Sequence, residues 1–208
     1  MAITYPRALP SEMVIERCSM KAKSLVAVTA SPFTGEQQVH AHSGQFWEAD
    51  ITVAPSERGD AAAIHAWLLS LNGREKTLLF GDPAGATARG SASTTPGTPV
   101  VNGADQTGAS LICNGGPIGA TNYLRVGDYI QLGSGSTATL HQVLEDVSTD
   151  GSGNFTLNLW PNIRSAPANG ATVTVDNAVG KFRLDSNVNS WSESTVLYGI
   201  SFKIKEAF

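Results

Sequence analysis

From Trp47 to Val53 apolar and polar residues alternate, with Trp47, Ala49, Ile51 and Val53 on one side and Glu48, Asp50 and Thr52 on the other. That period of two predicts a half-buried strand, ended by Pro55, which cannot donate to a ladder. The period then changes. Ile64, Trp67, Leu68 and Leu71 recur at helical spacing, which predicts a helix over about residues 57–72 with one face packed on a sheet. Ser56 is the expected N-cap, and Glu57 and Asp60 place negative charge in the first turn. Asn72-Gly73 supplies the stop, Leu78 to Phe80 resumes an extended run, and Gly81-Asp82-Pro83 turns the chain. This is the only long helix expected, with Trp67 in the core opposite Trp47.

Before this unit, residues 1–12, with Pro6 and Pro10, read as an aperiodic arm, loosely held or donated to a neighbouring subunit. Met13 to Glu16 and Ser24 to Thr29 are short β-like runs, and Ser31-Pro32-Phe33-Thr34-Gly35 is a turn or loop. Gln37 to His42 is expected to form a hairpin with the Trp47 strand across Ser43-Gly44. After Pro83 the composition shifts. Residues 84–99 are rich in Gly, Ser, Thr and Pro and read as a linker or long mobile loop. Short strands follow at Ser110–Cys113, Tyr129–Leu132, Leu140–Val147, Phe155–Leu159 and Thr172–Val175, the spacing of a small barrel or sandwich. Phe182 and Leu184 form a return strand. Ile200, Phe202 and Ile204 alternate with Ser201, Lys203 and Lys205 in a last antiparallel strand with its lysines in water. The expected fold is therefore mainly β. A β-barrel- or sandwich-like domain with one helix (residues 1–83 plus 181–208) is interrupted by a small inserted all-β domain (residues 84–180).

Composition narrows the function classes. Of the 208 residues 41% are hydrophobic, enough for a sizeable core, and only 15% are charged, against roughly 25% in ordinary globular chains. A net charge of −4 without a Lys/Arg cluster argues against a nucleic-acid-binding face. Cys18 and Cys113 lie far apart and read as two reduced thiols rather than a disulfide framework. Met1 to Glu12 lacks the pattern of a signal peptide, and no apolar run approaches membrane-spanning length, so folding in a cytoplasm is expected.

Candidate chemistry is sparse. His40-Ala41-His42 puts two imidazoles on one strand face, but no third metal ligand is evident, and solvated or paired histidines account for them. Neither His65 nor His141 has a nucleophile adjacent in sequence, and Glu145-Asp146 reads as a strand-end surface. Asp150 to Asn154 has too few ligands for a calcium loop and reads as a tight turn, and Arg58-Gly59-Asp60 falls in the first helical turn. No phosphate loop, dinucleotide fingerprint, nucleophile elbow or zinc-spaced cysteine set is present. The expectation is a non-enzyme with no catalytic residue, cofactor or metal. Phe46, Trp191 and Tyr198 lack an obvious core slot and read either as core or as a subunit contact.

A resemblance sharpens this. Ser31-Pro32-Phe33-Thr34-Gly35-x-x-Gln38, Trp47 on its strand, Pro55, Trp67-Leu68-x-x-Leu71-x-Gly73 and Phe80-Gly81-Asp82-Pro83 together resemble the distal tail proteins of long-tailed bacteriophages. Within the insertion, Leu124-x-x-Gly127-Asp128-Tyr129, Leu140-x-x-Val143, Pro161-x-Ile163-Arg164 and Phe182-Arg183-Leu184 are similar to segments of the same proteins. The likeness covers most of the chain from Ser31 onward. It implies a structural virion protein, made in the host cytoplasm and assembled as a ring, commonly hexameric, between tail tube and tail-tip hub. DNA would only pass through the lumen, and no membrane is involved. Another tail component, a tube or minor tail protein, is the alternative. On this reading the subunit-contact candidates are His40, His42, Phe46, Tyr198, Ile200, Phe202 and Ile204, together with the N-terminal arm. A second reading, a host-glycan-binding module, would need an exposed aromatic platform in the insertion, for which Tyr123, Tyr129 and Trp160 are the candidates. A cell-wall or capsule hydrolase lacks any acid/base constellation.

Overall fold

The computed structural model describes residues 3–193 and 197–208. Its elements, in chain order, are β1 (Ile15–Ala30), β2 (Gln37–Ser56), α1 (Arg58–Ser70), β3 (Leu78–Phe80), β4 (Val100–Val101), β5 (Gly108–Asn114), β6 (Tyr129–Leu132), β7 (Thr139–Val143), β8 (Phe155–Ile163), β9 (Val173–Thr174), β10 (Gly180–Leu184), β11 (Trp191–Glu193) and β12 (Tyr198–Glu206). The fold is mainly β with one α-helix, as the alternation predicts.

Two sheets hold it. The first runs β1-β2-β12-β10-β3, with β11 also paired to β12, and all its pairings are antiparallel. The inward face of β2 (Trp47, Ala49, Ile51, Val53) meets Ile200, Phe202 and Ile204 of β12 and Ile64, Trp67 and Leu68 of α1 in one core. Each of these larger side chains contributes roughly 1.5–3 kcal/mol by leaving water. The helix starts after Glu57, which makes no side-chain cap bond, because Ser56 is spent as the last residue of β2. It stops where Asn72 and Gly73 take φ of 50° and 61°, the left-handed region that Gly tolerates. Trp67 shares the core with Trp47, but its ring faces Phe202 at 6.1 Å.

The second sheet runs β4-β5-β8-β7-β6-β9. The bridge Val100 to Thr172 and the bonds Val101 N–H to Ala171 O and Val173 N–H to Pro99 O bring β9 back to β4, so the sheet nearly closes as a barrel. Leu111, Tyr123, Leu124, Ile130, Leu157 and Leu159 fill it. Trp47 joins the two units. Its indole N–H donates to Leu140 O at 3.0 Å, and its ring lies 4.4 Å from Trp160 and 5.9 Å from Tyr129.

Several expectations are corrected. Met13–Glu16 and Ser24–Thr29 are not separate runs, since β1 is one strand of 16 residues. Gln37–His42 does not fold back on the Trp47 strand. Both belong to the 20-residue β2, and Ser43-Gly44 sits in a bulge rather than a turn. The chain reverses at residues 31–36, where Ser31 N–H donates to Glu36 O and Gly35 N–H to Ser31 O. Residues 84–99 are packed against the insertion rather than free of it. They hold two short 3-10 turns, bury Ala88 and Ala92, and accept the Tyr123 hydroxyl on Pro96 O at 2.6 Å.

The N-terminal arm, of which Met1 and Ala2 lie outside the described residues, is held by its own chain. Arg7 forms a parallel bridge to Leu78, with Arg7 N–H donating to Thr77 O and Leu79 N–H to Arg7 O. Tyr5 donates to Ser70 O at 2.6 Å, and the Trp67 indole donates to Ala8 O at 2.8 Å. The arm thus covers the β3 edge, and a role as a donated segment is not needed to satisfy it.

Candidate interaction site

β1, with 16 residues, and β2, with 20, are far longer than β8 and β12, which have 9 each. Every residue from Lys21 to Ala30 is exposed, as are residues 32–42, so the distal ribbon projects without a covering layer. Its stem is an ion-pair ladder on the outer face: Lys21 pairs with Asp50, Lys23 with Glu48 at 3.2 Å, and Lys203 and Lys205 of β12 reach the same two acids. Between Ser24 and Val26 the register slips, setting residues 42–44 of β2 against Leu25 alone, a bulge that bends such a ribbon. Beyond it, Val26 lies opposite Ala41, Val28 opposite Val39 and Ala30 opposite Gln37. Directly opposed residues share a face, so this face is apolar. The other face carries Ala27 opposite His40 and Thr29 opposite Gln38. At the tip, Ser31 Oγ accepts from Phe33 N–H and Thr34 N–H, and this turn holds Phe33 out at 95% exposure.

The candidate contact residues divide. His40 and His42 lie together on the polar face of the ribbon, ring centroids 4.9 Å apart. Ile200, Phe202 and Ile204 do not face a neighbour; they are buried under α1, because the outward positions of β12 belong to Ser201, Lys203 and Lys205. Phe46 is likewise covered by its own chain, with the Lys205 ammonium 4.3 Å above its ring and Phe208 edge-on at 6.4 Å. Tyr198 is half-buried near His65, whose ring lies 4.4 Å from that of the half-exposed Trp191.

The aromatic trio of the insertion forms no exposed platform. Tyr123 is 0% exposed in the barrel core, where burial pushes its hydroxyl pKa up to about 12. Tyr129 is buried between barrel and helical unit, and Trp160 packs edge-on to Trp47. Tyr123 fills the barrel's own core, whereas Tyr129 and Trp160 pack at the joint between the two units.

A cleft of about 490 Å³, which the sequence reading missed, opens where the two units meet. Ile163, Ala166, Ala168 and Phe208 give it apolar walls, and its titratable lining groups are His141, Arg164, Lys181 and Glu206. Glu206 accepts from Trp47 N–H at 3.0 Å and from Arg164 Nη1 at 3.3 Å; burial raises its carboxyl pKa, against the pull of these two donors. Arg164 stacks 3.9 Å from the Phe208 ring. His141 Nδ1–H donates to Pro161 O at 2.7 Å and Nε2 accepts from the Thr139 hydroxyl at 2.9 Å, so the ring is satisfied as a neutral tautomer. Burial pushes its pKa down to about 4, with the Arg164 charge adding to the effect. One signal was available. Glu206 continues the inward phase of Ile200, Phe202 and Ile204, and a carboxylate in that phase must find donors inside.

Among the described residues no group of three or more His, Cys, Asp or Glu is placed to hold a metal ion, and no helix is long and apolar enough to cross a membrane. The Cys18 thiol is pushed up to about 11 and the Cys113 thiol to about 12, mainly by burial, which leaves both far from nucleophilic at neutral pH. Asp150 accepts from Ser152 N–H and Asn154 N–H at 2.8 Å each, the geometry of a tight turn. No protein-family model matches the chain. No curated protein matches it in sequence.

Proposed function

We propose that this chain is a structural protein of the tail of a long-tailed bacteriophage, a distal-tail-type subunit that works by symmetric self-association rather than catalysis. The observation that carries the reading is the projecting ribbon. Its outer β1 edge has no strand partner among the described residues, and beyond the stem the ribbon presents Val26, Val28 and Val39 to solvent. Long exposed apolar edges are a liability that lone proteins blunt with charge. Between Ser24 and Phe46, Glu36 is the one Lys, Arg, Asp or Glu. Such a surface suits a neighbouring copy. A ring closed by heterologous contacts covers the edge on every subunit, and the resemblance of the Ser31–Gly35 and Trp47 to Pro83 segments adds the tail context. On this reading the subunit sits in the virion between tail tube and tail-tip hub, with DNA passing through the lumen.

The test is the mass of the purified chain by light scattering across a concentration series, with negative-stain images of the same peak. Closed rings with a lumen wide enough for duplex DNA are expected. A strict monomer at every concentration, unchanged by adding tail tube protein, would sink the self-association reading.

A further inference from the structure

We infer that the cleft between the two units is the receptor for the ribbon tip of a second copy of this chain, with Phe33 as the inserted side chain. The inference rests on the self-association reading and names the contact that would build it. Three observations converge. Phe33 stands on a turn fixed by Ser31 and is almost wholly in water, so it does not occupy the cleft of its own chain. The cleft of about 490 Å³ is some three times the roughly 150 Å³ that an apolar cavity needs for a benzene ring, room for Phe33 and its flanking turn. The charges also match. Arg164 and Glu206 neutralise each other at 3.3 Å, and among the described residues the other lining cation, Lys181, has no ion-pair partner. The tip, residues 31–36, carries Glu36 and no Lys or Arg.

Reach favours a neighbour. From the bulge to the turn the ribbon advances about seven residues, on the order of 23 Å at 3.3 Å per residue. Tip and cleft are different surfaces, so the contact is heterologous: each copy donates one tip and receives another. That closes as a ring or runs on as a filament.

The test titrates a fluorescein-labelled, disulfide-cyclised peptide carrying residues 29–38 into the full-length Phe33→Asp chain, whose own tip cannot compete, followed by anisotropy. Saturable binding is expected. Ala168→Trp, which fills the cleft, should abolish it. Lys181→Glu should weaken it roughly tenfold, and a Glu36→Lys peptide should regain that loss on the Lys181→Glu chain. A merely misfolded variant would not show that reciprocal rescue, and circular dichroism checks each fold. Absence of saturable binding to a folded chain, or binding indifferent to both cleft substitutions, overturns the inference. So does displacement behaviour in which octanoate fills the cleft and the peptide does not, which would give the site to a small amphipathic anion. The two readings fail separately. Peptide binding with a monomeric wild type keeps the cleft and loses the ring, whereas rings undiminished by Phe33→Asp lose the cleft contact alone.

Discussion

Acid should act on this fold through His141. The imidazole is buried and neutral, with Nδ1–H on Pro161 O and Nε2 facing the Thr139 hydroxyl. Its pKa falls from 6.5 to about 4, chiefly because burial disfavours the charged ring. A group with a depressed folded pKa stabilises fully above its unfolded value and loses that contribution as pH falls through the folded one. At about 1.4 kcal/mol per unit the whole effect is about 3 kcal/mol, of which about 2 kcal/mol is lost between pH 7.5 and roughly pH 4.5. Glu206, lining the same cleft, acts in the opposite sense. Its raised carboxyl favours the fold below the ordinary carboxylate range and stops doing so as pH rises through its folded value. The wild-type profile alone therefore mixes the two. The clean measurement is urea unfolding of wild type and His141→Gln at both pH values, since the amide does not titrate. The stability of wild type relative to the variant should fall by about 2 kcal/mol on acidification. Parallel pH profiles would refute the argument.

Four further outcomes follow from particular contacts. Trp67→Phe deletes the donor to Ala8 O; about 1 kcal/mol of stability should go, with faster amide exchange at Arg7 and Leu79 by mass spectrometry. Asp128, buried in the barrel unit, accepts from Arg125 N–H at 2.8 Å, Arg89 N–H at 3.1 Å and Arg89 Nε at 3.2 Å. Asp128→Ala strands those donors, and chemical denaturation should show a loss of about 3 kcal/mol. With thiols raised to about 11 and about 12 by burial, Cys18 and Cys113 should stay unreactive to Ellman's reagent at mildly alkaline pH and titrate fully only in denaturant. Val28→Asp with Val39→Asp puts two opposed carboxylates on the exposed apolar face of the ribbon; self-association by light scattering should drop while the thermal midpoint barely moves.

What the sequence made legible were the elements with one wet and one dry face. Trp47 to Val53 and Ile200 to Ile204 alternate because one side packs under α1, and the helix stripe exists for the same reason. The distal ribbon has no dry face. The alternation that marks a strand is therefore missing from Lys21 to His42, and Gly44, needed where Leu25 crowds the bulge, reads as a turn residue. The small residues of the 84–99 segment mislead in the same way. They look like a flexible linker, yet a Cβ on Gly90 would come within 2.3 Å of Tyr123 O, so smallness there serves close packing. Tyr129 and Trp160 read as a possible exposed platform because strand parity does not distinguish solvent from a second unit packed on the outside of a barrel. Tyr123 lies outside any strand, and its burial in the barrel core carries no periodic signal. The cleft was invisible for a related reason: its lining comes from β6, β7, β8, β10 and β12, brought together only by the joint at Trp47.

The two halves of the ribbon are suited to different surroundings. In the stem, Lys21 and Lys23 meet Asp50 and Glu48 from one side while Lys203 and Lys205 meet them from the other. Pairs this exposed add little to stability, but they keep the outer face of β2 hydrated and unattractive to another sheet, which is how lone sheets discourage edge pairing. Past the bulge that protection ends abruptly, and Val26, Val28 and Val39, each half or more exposed, occupy positions where further lysines would have kept the ribbon hydrated. A two-stranded ribbon in water is marginal by itself, so this one draws its order from the stem and from the 14 register pairs that run the length of β1 and β2. Stability thus comes from one end and apolar surface is displayed at the other. Such a division is wasteful in a solitary molecule. It makes physical sense when the far end is finished by contact, with Phe33 and the valine face leaving water only in the assembled state.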